Sequence, residues 1–240
     1  ISNVTQTTTI LAKFDRKQVS ITLDLVQSTV FSGLLNTLPD YTPSVVTADG
    51  VVMLDNQSVS KAYGDTTTFV IMPNAGYFVT SIQKPTGEQV SNADTTYSLS
   101  VEHKTNGTLS VTLQEQDTWL NHADDTWTGE SISTAAQLAK LSKMVLLEEA
   151  LPEKVILKNN IDLTGYNWFP IGATSSKPFA TMFDGDSFTI SNMNVLNGTS
   201  VGLFGYNNGR VYNTKVGGTA TGCQVVAGVV GTNTSTGIVE

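Results

Sequence analysis

The turn FDGDS at residues 183–187 carries two carboxylates close together, Asp184 and Asp186, and Asp162 occurs in a similar polar corner upstream. Carboxylates are ligands that Ca²⁺ prefers, but a calcium ion takes about six to eight oxygen atoms. Two neighbouring carboxylates supply too few. We therefore expect a solvated corner at this turn, and whether it holds an ion is left open.

Two tryptophans lie in the polar segment DTWLNHADDTWTG at residues 117–129. Acidic residues beside Trp119 and Trp127 could bind a sugar or Ca²⁺. The alternative is that both indole rings pack at a junction between domains, since large aromatic side chains bury much apolar area. The sequence favours packing and keeps a sugar or calcium site as the second interpretation.

No stretch of the sequence has the pattern of a catalytic site. Cys223 is the single cysteine, so no disulfide can form within the chain, and we expect it to be a small buried hydrophobe. Neither His103 nor His122 stands in a recognisable motif, and Gly-x-Ser-x-Gly, HExxH and phosphate-loop motifs are missing from the sequence. Glycan-cleaving enzymes need clustered carboxylates, whereas Arg210 and Lys215 stand alone. We expect no catalytic, cofactor-binding or metal-binding residue.

The charge and hydropathy of the chain argue against two classes of partner. Its formal net charge is −8 and it has no run of Lys or Arg, whereas a nucleic-acid binder needs a cationic face to displace counterions from phosphates. No stretch approaches the ~20 apolar residues of a membrane span. The longest candidate is VVAGVVG at 225–231. We therefore expect neither nucleic-acid binding nor membrane insertion.

The N-terminal 116 residues read as strands. TTTFVIM (66–72) and GYFVTSI (76–82) flank the turn PNAG, and TYSLSVEH (96–103) and GTLSVTLQ (107–114) flank the turn KTNG. Apolar and polar residues alternate strictly in the second pair, which is typical of antiparallel strands with one buried face. The sequence therefore predicts a turn between two strands at PNAG and a hairpin turn at KTNG.

Two other parts of this half are less regular. Residues 4–25 also read as strands, and TTTILAKF (7–14) resembles NGTLSVTL (106–113) closely enough to be the same closing strand of a preceding unit. Residues 29–50 are less regular: FSGLLNTLPDYTP (31–43) is a short helix or a loop, and both alternatives stay open.

One α-helix is predicted, from about Thr134 to Met144. Ser133 or Thr134 is a suitable N-cap because a hydroxyl can accept a hydrogen bond from a free N–H of the first turn. The apolar stripe at helical spacing consists of Ala135, Leu138, Ala139 and Leu141.

The remaining sequence repeats itself. TMFDGDSFTISNMNV (181–195) aligns with GLFGYNNGRVYNTKV (202–216) at an offset of 21, which places Phe183 on Phe204, Ile190 on Val211 and Asn192 on Asn213. A further copy follows after 26 residues, with Gly202, Gly205 and Asn207 on Gly228, Gly231 and Asn233, and NIDL (160–163) is a weaker echo of NMNV (192–195). Repeats of this length with Gly and Asn corners predict stacked coils.

The repeat predicts which of its residues are buried and which lie at corners. Leu203, Phe204 and Val211 are core candidates, and Gly205, Asn207 and Gly209 are expected at a corner. Asn192 and Asn213 are predicted to lie above one another at a corner in the left-handed conformation, which Asn tolerates. The stack is a parallel β-helix, and the helix at 134–144 is predicted to cap its exposed end.

Several segments resemble the GLUG-motif right-handed β-helices of large bacterial surface and secreted proteins. The resemblance covers roughly 126–240 and rests on TAAQLAKLS, NNIDLTG, WFPIG, FDGDSFTISNMNV and GLFGYNNGRVYNTKV, in that order. This chain has Asp186-Ser187 where the family usually has Gly-Asn/His-Gly after FDG. Residues 50–114 resemble, less specifically, the internalin-B-type repeats of cell-surface proteins. Such families occur in adhesin-like proteins and beside secreted peptidase domains, and supply no catalytic residue to this chain.

We therefore predict an all-β protein with three parts: one or two small β modules at 1–116, a linker at 117–129 and a helix-capped right-handed parallel β-helix at 130–240. The ends ISNVTQ and TGIVE indicate a fragment. The predicted role is adhesion or display of a binding surface by a monomer on a bacterial surface or in its surroundings. The partner would be a host or neighbouring-cell protein or glycan, without a cofactor. Alternatives are a non-catalytic segment of a secreted peptidase or glycan-active enzyme, a structural stalk and, with least support, a catalytic β-helix.

Overall fold

The computed structural model describes residues 15–90, 96–222 and 224–240 of the chain. Strands make up 47% and helical residues 9% of the structure, with one α-helix in the described ranges, so the all-β class is confirmed. Two hydrophobic cores, one in each half of the sequence, organise the strands.

Nine strands form two sheets in the described part of the N-terminal half. They are β1 (Gln18–Gln27), β2 (Ser44–Ala48), β3 (Val51–Met53), β4 (Ser58–Ala62), β5 (Thr66–Pro73), β6 (Tyr77–Gln83), β7 (Gln89–Val90), β8 (Tyr97–Glu102) and β9 (Gly107–Glu115). One sheet has the order β4-β1-β9-β6-β7 and the other β3-β2-β5-β8. Their inward side chains form the first core, which includes Ile21, Leu23, Phe69, Ile71, Leu109 and Val111.

The turn predicted at PNAG lies between two strands as expected, whereas the hairpin predicted at KTNG is wrong. β5 and β6, on either side of PNAG, belong to different sheets, and so do β8 and β9 on either side of KTNG. β8 pairs with β5, whereas β9 lies between β6 and β1 and runs parallel to β1. Alternation shows that a strand has one buried face, but that face is buried equally well when the next strand crosses to the opposite sheet. The turn residues therefore did not identify the pairing partner.

The irregular segment at 29–50 contains a short 3₁₀ helix, Leu35–Thr37, followed by β2. The buried Glu115 carboxylate holds this segment by accepting hydrogen bonds from the backbone N–H groups of Gly33, Leu35 and Asn36 at 2.9–3.0 Å. The helix alternative is thus correct for three residues. β1 confirms a strand within 4–25, whereas residues 4–14, including TTTILAKF, lie outside the described residues.

The predicted α-helix is confirmed and ends two residues later than expected. α1 spans Ala135–Leu146, and the Thr134 hydroxyl accepts a hydrogen bond from the Gln137 N–H. The Gln137 side chain accepts in return from the Ser133 N–H at 2.8 Å. Leu138 and Leu141 are fully buried in the second core, so the apolar stripe lies on the buried face.

Replacing the N-cap residue, Thr134→Ala, should lower the free energy of unfolding by about 1 kcal/mol, because the Gln137 N–H loses its acceptor. Urea unfolding followed by far-UV circular dichroism measures the loss. Thr128→Ala, at an exposed position, is the matched control and should change the midpoint little. Equal stability of the two variants would show that the cap is not energetically important.

The C-terminal half contains short strands that pair in parallel throughout its named ladders. The strands are β10 (Ser131–Ile132), β11 (Lys154–Leu157), β12 (Ile161–Asp162), β13 (Met182–Asp184), β14 (Thr189–Leu196), β15 (Ser200–Val201), β16 (Phe204–Asn207), β17 (Arg210–Tyr212), β18 (Lys215–Thr221), β19 (Val225–Val226), β20 (Val230–Asn233) and β21 (Ile238–Val239). They form the sheets β10-β11-β13-β17-β21, β12-β14-β18, β15-β19 and β16-β20. Together with α1 they enclose the second core.

The predicted core residues of the GLFG segment are confirmed. Leu203, Phe204 and Val211 are all fully buried. Gly205, however, lies inside β16 and not at a corner, while Asn207 ends that strand and Gly209 follows it. A Cβ on Gly205 would come within 2.6 Å of the Gly172 carbonyl oxygen, so the close approach of the neighbouring chain requires glycine here.

The 26-residue repeat is confirmed and the 21-residue repeat is wrong as a pairing register. Phe204 pairs with Val230 and Asn207 with Asn233, as the longer offset predicts. Phe183 instead pairs with Val211 and only touches Phe204 across the core, with ring centroids 5.2 Å apart. All these sheets direct apolar side chains into one core. The 21-residue alignment therefore matched β13 with β16, which have similar residues but belong to different sheets.

The corner asparagines follow the corrected register. Asn192 and Asn213 both have positive φ, 56° and 52°, which confirms the left-handed conformation. They are not stacked on each other: Asn192 donates to Asp162 at 3.0 Å and Asn213 to Asp184 at 3.2 Å. The weaker match between NIDL and NMNV also gives the wrong register. It places Ile161 on Met193, whereas Ile161 pairs with Ile190.

The two cores meet along a packed junction. Leu146 at the end of α1 and Phe169 both belong to the first core, although their neighbours in sequence pack in the second. The Asn197 side chain donates to the Tyr77 carbonyl at 2.8 Å, and the Gly198 N–H donates to the Pro73 carbonyl at 3.1 Å. Direct backbone and side-chain contacts therefore hold the halves together.

Candidate functional site

The Asp184 carboxylate of the FDGDS turn is occupied by neighbouring protein groups. Asp184 accepts hydrogen bonds from the Asp186 N–H at 2.9 Å and from Asn213, and its second oxygen lies 3.0 Å from Lys154 Nζ. Asp162 is bonded separately to Thr164 and Asn192. Across the described ranges, no three His, Cys, Asp or Glu side chains are grouped so that they could hold a metal. An ion at this turn remains a hypothesis.

The bonds around Asp184 should make stability depend on acid pH. Partial burial raises the pKa of this carboxyl, but hydrogen bonds from Lys154, the Asp186 N–H and Asn213 outweigh it and bring the pKa below its ordinary 3.8. A carboxyl with a lowered pKa in the folded state stabilises the protein above the unfolded-state pKa. That contribution is lost as the pH falls from about 3.8 through the lower, folded-state value.

Asp184→Asn should therefore lower stability at pH 7 and flatten its decline towards pH 2. Chemical unfolding across that range, with the exposed Asp40→Asn as control, tests the expectation. A decline as steep in Asp184→Asn as in the parent chain would show that other groups dominate it.

The two histidines lie in different environments in the structure. His103 is fully buried, with Nδ1 2.8 Å from the Val19 carbonyl oxygen and Nε2 2.9 Å from the Thr67 hydroxyl. The carbonyl accepts from Nδ1–H, and the hydroxyl can either donate to or accept from Nε2. His122 is half-buried, and its Nε2 lies 2.9 Å from the Asp117 carboxylate. Cys223 lies outside the described residues.

Both tryptophans pack against the protein interior, as the favoured of the two interpretations predicted. Trp127 is buried in the second core and donates from Nε1 to the Ser131 carbonyl at 2.8 Å. Trp119 lies against the same core and donates to the Leu163 carbonyl at 2.9 Å. The segment that carries them contacts both cores, because Leu120 between them is buried in the first core.

Trp119 also supports a surface cluster of aromatic rings. The His122 ring stacks on Tyr166 with centroids 3.6 Å apart and planes 17° from parallel, and Trp119 meets Tyr166 edge to face at 5.4 Å. The Asp117 carboxylate lies within hydrogen-bond distance of His122 Nε2, at 2.9 Å. Tyr166 keeps 37% of its surface exposed. Its ring is thus held in place and still accessible.

This cluster borders a groove at the junction, formed by two clefts that share Asp117 and Asn167. The larger cleft, about 650 Å³, is lined by Phe31, Phe78, Gln114, Glu115, Gln116, Leu196 and Thr221 in addition to the shared pair. The second, about 430 Å³, is lined by Leu163, Thr164, Gly165, Tyr166, Asn192 and Asn194 in addition to that pair. We call the two clefts together the junction groove. Their size is that of typical ligand sites.

A row of side-chain hydrogen bonds runs along this groove. Asn167 donates to Gln116 at 3.2 Å, Asn194 donates to Asn167 at 2.6 Å, and the Thr219 hydroxyl donates to Asn194 at 2.7 Å. We call these four residues the amide ladder. It joins the end of β9 to β14 and β18, so it begins beside the first core and continues over the second.

The charged side chains in the groove lining are acidic, and both are already paired. Glu115 and Asp117 are the charged residues in its lining, and neither cleft is lined by Lys, Arg or His within the described chain. Glu115 is occupied by three backbone N–H groups and Asp117 by His122. Chemically, the lining offers carboxamides, hydroxyls and aromatic surface.

Sequence reasoning found only one side of this site. The segment 117–129 was singled out and does supply Asp117, but Tyr166, Asn167 and Asn194 were not. Their only signal is the polar character of TGYN and SNMN beside buried residues. Asn167 and Asn194 are 27 positions apart, and the pairing of distant strands brings them together.

Comparisons of the chain with protein-family models, curated proteins and solved structures give no match. The resemblance to GLUG-motif proteins therefore remains an inference from the motifs. Among the described residues, no helix is both long enough and apolar enough to span a bilayer.

Proposed function

We propose that this chain is a segment of a bacterial cell-surface or secreted protein that mediates adhesion by displaying the junction groove to a partner. The carrying observation is the groove itself: two confluent clefts at a junction held by contacts between both cores. A rigid groove lowers the entropy lost on binding. The low share of charged residues, 14%, suits a surface rich in Thr, Ser, Asn and Gly.

The proposed architecture behind this function is a right-handed parallel β-helix at 130–240, capped by α1, of the GLUG type. Parallel pairing across the named ladders of that half supports it, as do regular separations between partners. Lys154 pairs with Met182, 28 residues on, and Phe204 with Val230, 26 residues on. α1 packs on the core those strands share.

Adherence of the chain to cells tests the proposed function. Beads coated with the chain should stay bound to host epithelial cells or neighbouring bacteria under washing. Thr221→Trp, which places a large side chain at the exposed lining of the larger cleft, should abolish retention. Thr128→Trp, at an exposed position outside the groove, is the matched control and should retain it.

Two results would overturn the proposal. Beads that bind no cell type would favour a stalk that only spaces other domains. Retention that survives Thr221→Trp would place adhesion on another surface.

A further inference from the structure

We propose that the ligand of the junction groove is a neutral oligosaccharide. This inference rests on the proposed function and adds the chemical class of the ligand. It follows from three properties of the groove: the hydrogen-bonding capacity of the amide ladder, the exposed ring of Tyr166 and the lack of cationic lining.

The amide ladder has hydrogen-bonding capacity to spare. Within it, Asn167 and Asn194 each donate one hydrogen bond and accept one. A carboxamide has two N–H donors and an oxygen with two lone pairs, so each amide retains a donor and an acceptor beyond its ladder bonds. Sugar hydroxyls both donate and accept, and adjacent hydroxyls on one ring match such a pair. Asn194 and Thr219 are partners on the neighbouring strands β14 and β18, about 4.8 Å apart, which is comparable to the width of a sugar ring.

The aromatic surface supplies the second element of sugar recognition. A pyranose ring has an apolar face of C–H groups, which packs against an aromatic ring through dispersion and weak C–H contacts. Tyr166 lines the same cleft as Asn167 and Asn194, and its stacking on His122 fixes its orientation. Phe31 and Phe78, both half-buried, extend the apolar surface into the larger cleft.

The acidic lining argues against an anionic ligand, and the pairing of β14 argues against a peptide that adds a strand to it. Sulfated, sialylated or phosphorylated ligands would meet Glu115 and Asp117 without a lining cation to pair with. A peptide adding a strand would need unpaired backbone groups, and β14, which carries Asn194, offers no free edge because it pairs with β12 and β18. The face therefore presents side-chain amides and hydroxyls to a ligand.

An array of immobilised oligosaccharides tests the inference with the full 240-residue chain. It carries neutral glucans, galactans, mannans and N-acetylhexosamine oligomers beside sialylated and sulfated counterparts. We expect binding to at least one neutral series and weaker binding to its charged counterparts. Calorimetric titration with the best neutral oligomer then gives the Kd.

Two substitutions test the assigned groups. Tyr166→Ala and Asn194→Ala should each raise the Kd about ten-fold, while Tyr166→Phe, which keeps the ring, should restore most of the affinity. Asn159→Ala, an exposed asparagine outside the groove lining, is the matched control. Thermal melting checks that each variant is folded, and Tyr166→Phe, which keeps the ring contacts with His122 and Trp119, separates loss of the sugar contact from loss of packing.

The outcomes distinguish this inference from the proposed function. A preference for charged glycans, no neutral binding at millimolar oligomer, or affinity unchanged in both alanine variants would overturn the neutral-glycan assignment. If beads adhere to cells but glycosidase treatment of those cells has no effect, adhesion stands and the ligand is a protein. If neutral oligomers bind but beads do not adhere, the ligand class stands and adhesion fails.

Discussion

Phe169→Ala is expected to lower the free energy of unfolding by about 3–5 kcal/mol, the usual range for truncating a buried Phe. Phe169 is 1% exposed and lies in the first core, where its ring is 5.9 Å from that of Tyr41. Its neighbour Trp168 is buried in the second core and donates from Nε1 to the Leu203 carbonyl at 3.0 Å. Two consecutive residues thus anchor opposite cores, and truncation of one removes an anchor from the junction.

The loss should be visible as weaker coupling between the cores. Hydrogen exchange should show earlier opening of β8 and β9 relative to α1 and β13, and thermal unfolding should broaden or separate into two transitions. Phe183→Ala, a truncation wholly within the second core, should destabilise without that preferential exposure of the first core. A loss below about 1 kcal/mol in Phe169→Ala, with unchanged exchange, would mean that other contacts carry the junction.

Gly205→Ala is expected to destabilise the chain by about 3 kcal/mol, at the upper end of the usual cost of overpacking. A Cβ at this position would lie 2.6 Å from the Gly172 carbonyl oxygen and 2.9 Å from the Ser200 carbonyl oxygen. Both atoms are backbone, so relief requires neighbouring strands to separate. Denaturant unfolding monitored by tryptophan fluorescence measures the change.

The matched control is Gly217→Ala, because a Cβ there meets nothing within 4 Å. That substitution should be neutral or slightly stabilising, since alanine restricts the unfolded chain more than glycine does. Equal effects at the two glycines would show that the GLFG glycine is not required by close packing. The result therefore separates a packing requirement from a general cost of replacing glycine.

Features governed by local physics could be predicted from the sequence. The α1 N-cap at Thr134, the left-handed Asn192 and Asn213 and the buried Leu203, Phe204 and Val211 were all anticipated. Each depends on a side chain and its near neighbours: a hydroxyl beside an open N–H, an asparagine at a corner, an apolar residue within a periodic run. Such preferences hold wherever the element is placed.

Strand pairing could not be predicted in the same way. The turns PNAG and KTNG connect opposite sheets, and Phe183 pairs with Val211 instead of matching Phe204. Alternation shows only that each strand has one apolar face. It therefore does not identify the neighbouring strand in the sheet.

The sequence alone was sufficient for an all-β chain with one capped helix, because periodicity and capping are local. The junction groove arises from the assembled chain. Gln116, Asn167 and Asn194 become neighbours only when β9 ends beside the loop preceding Trp168 and that loop pairs with β14. Contacts across such separations are selected by the packing of both cores together, and no short segment of the sequence encodes them.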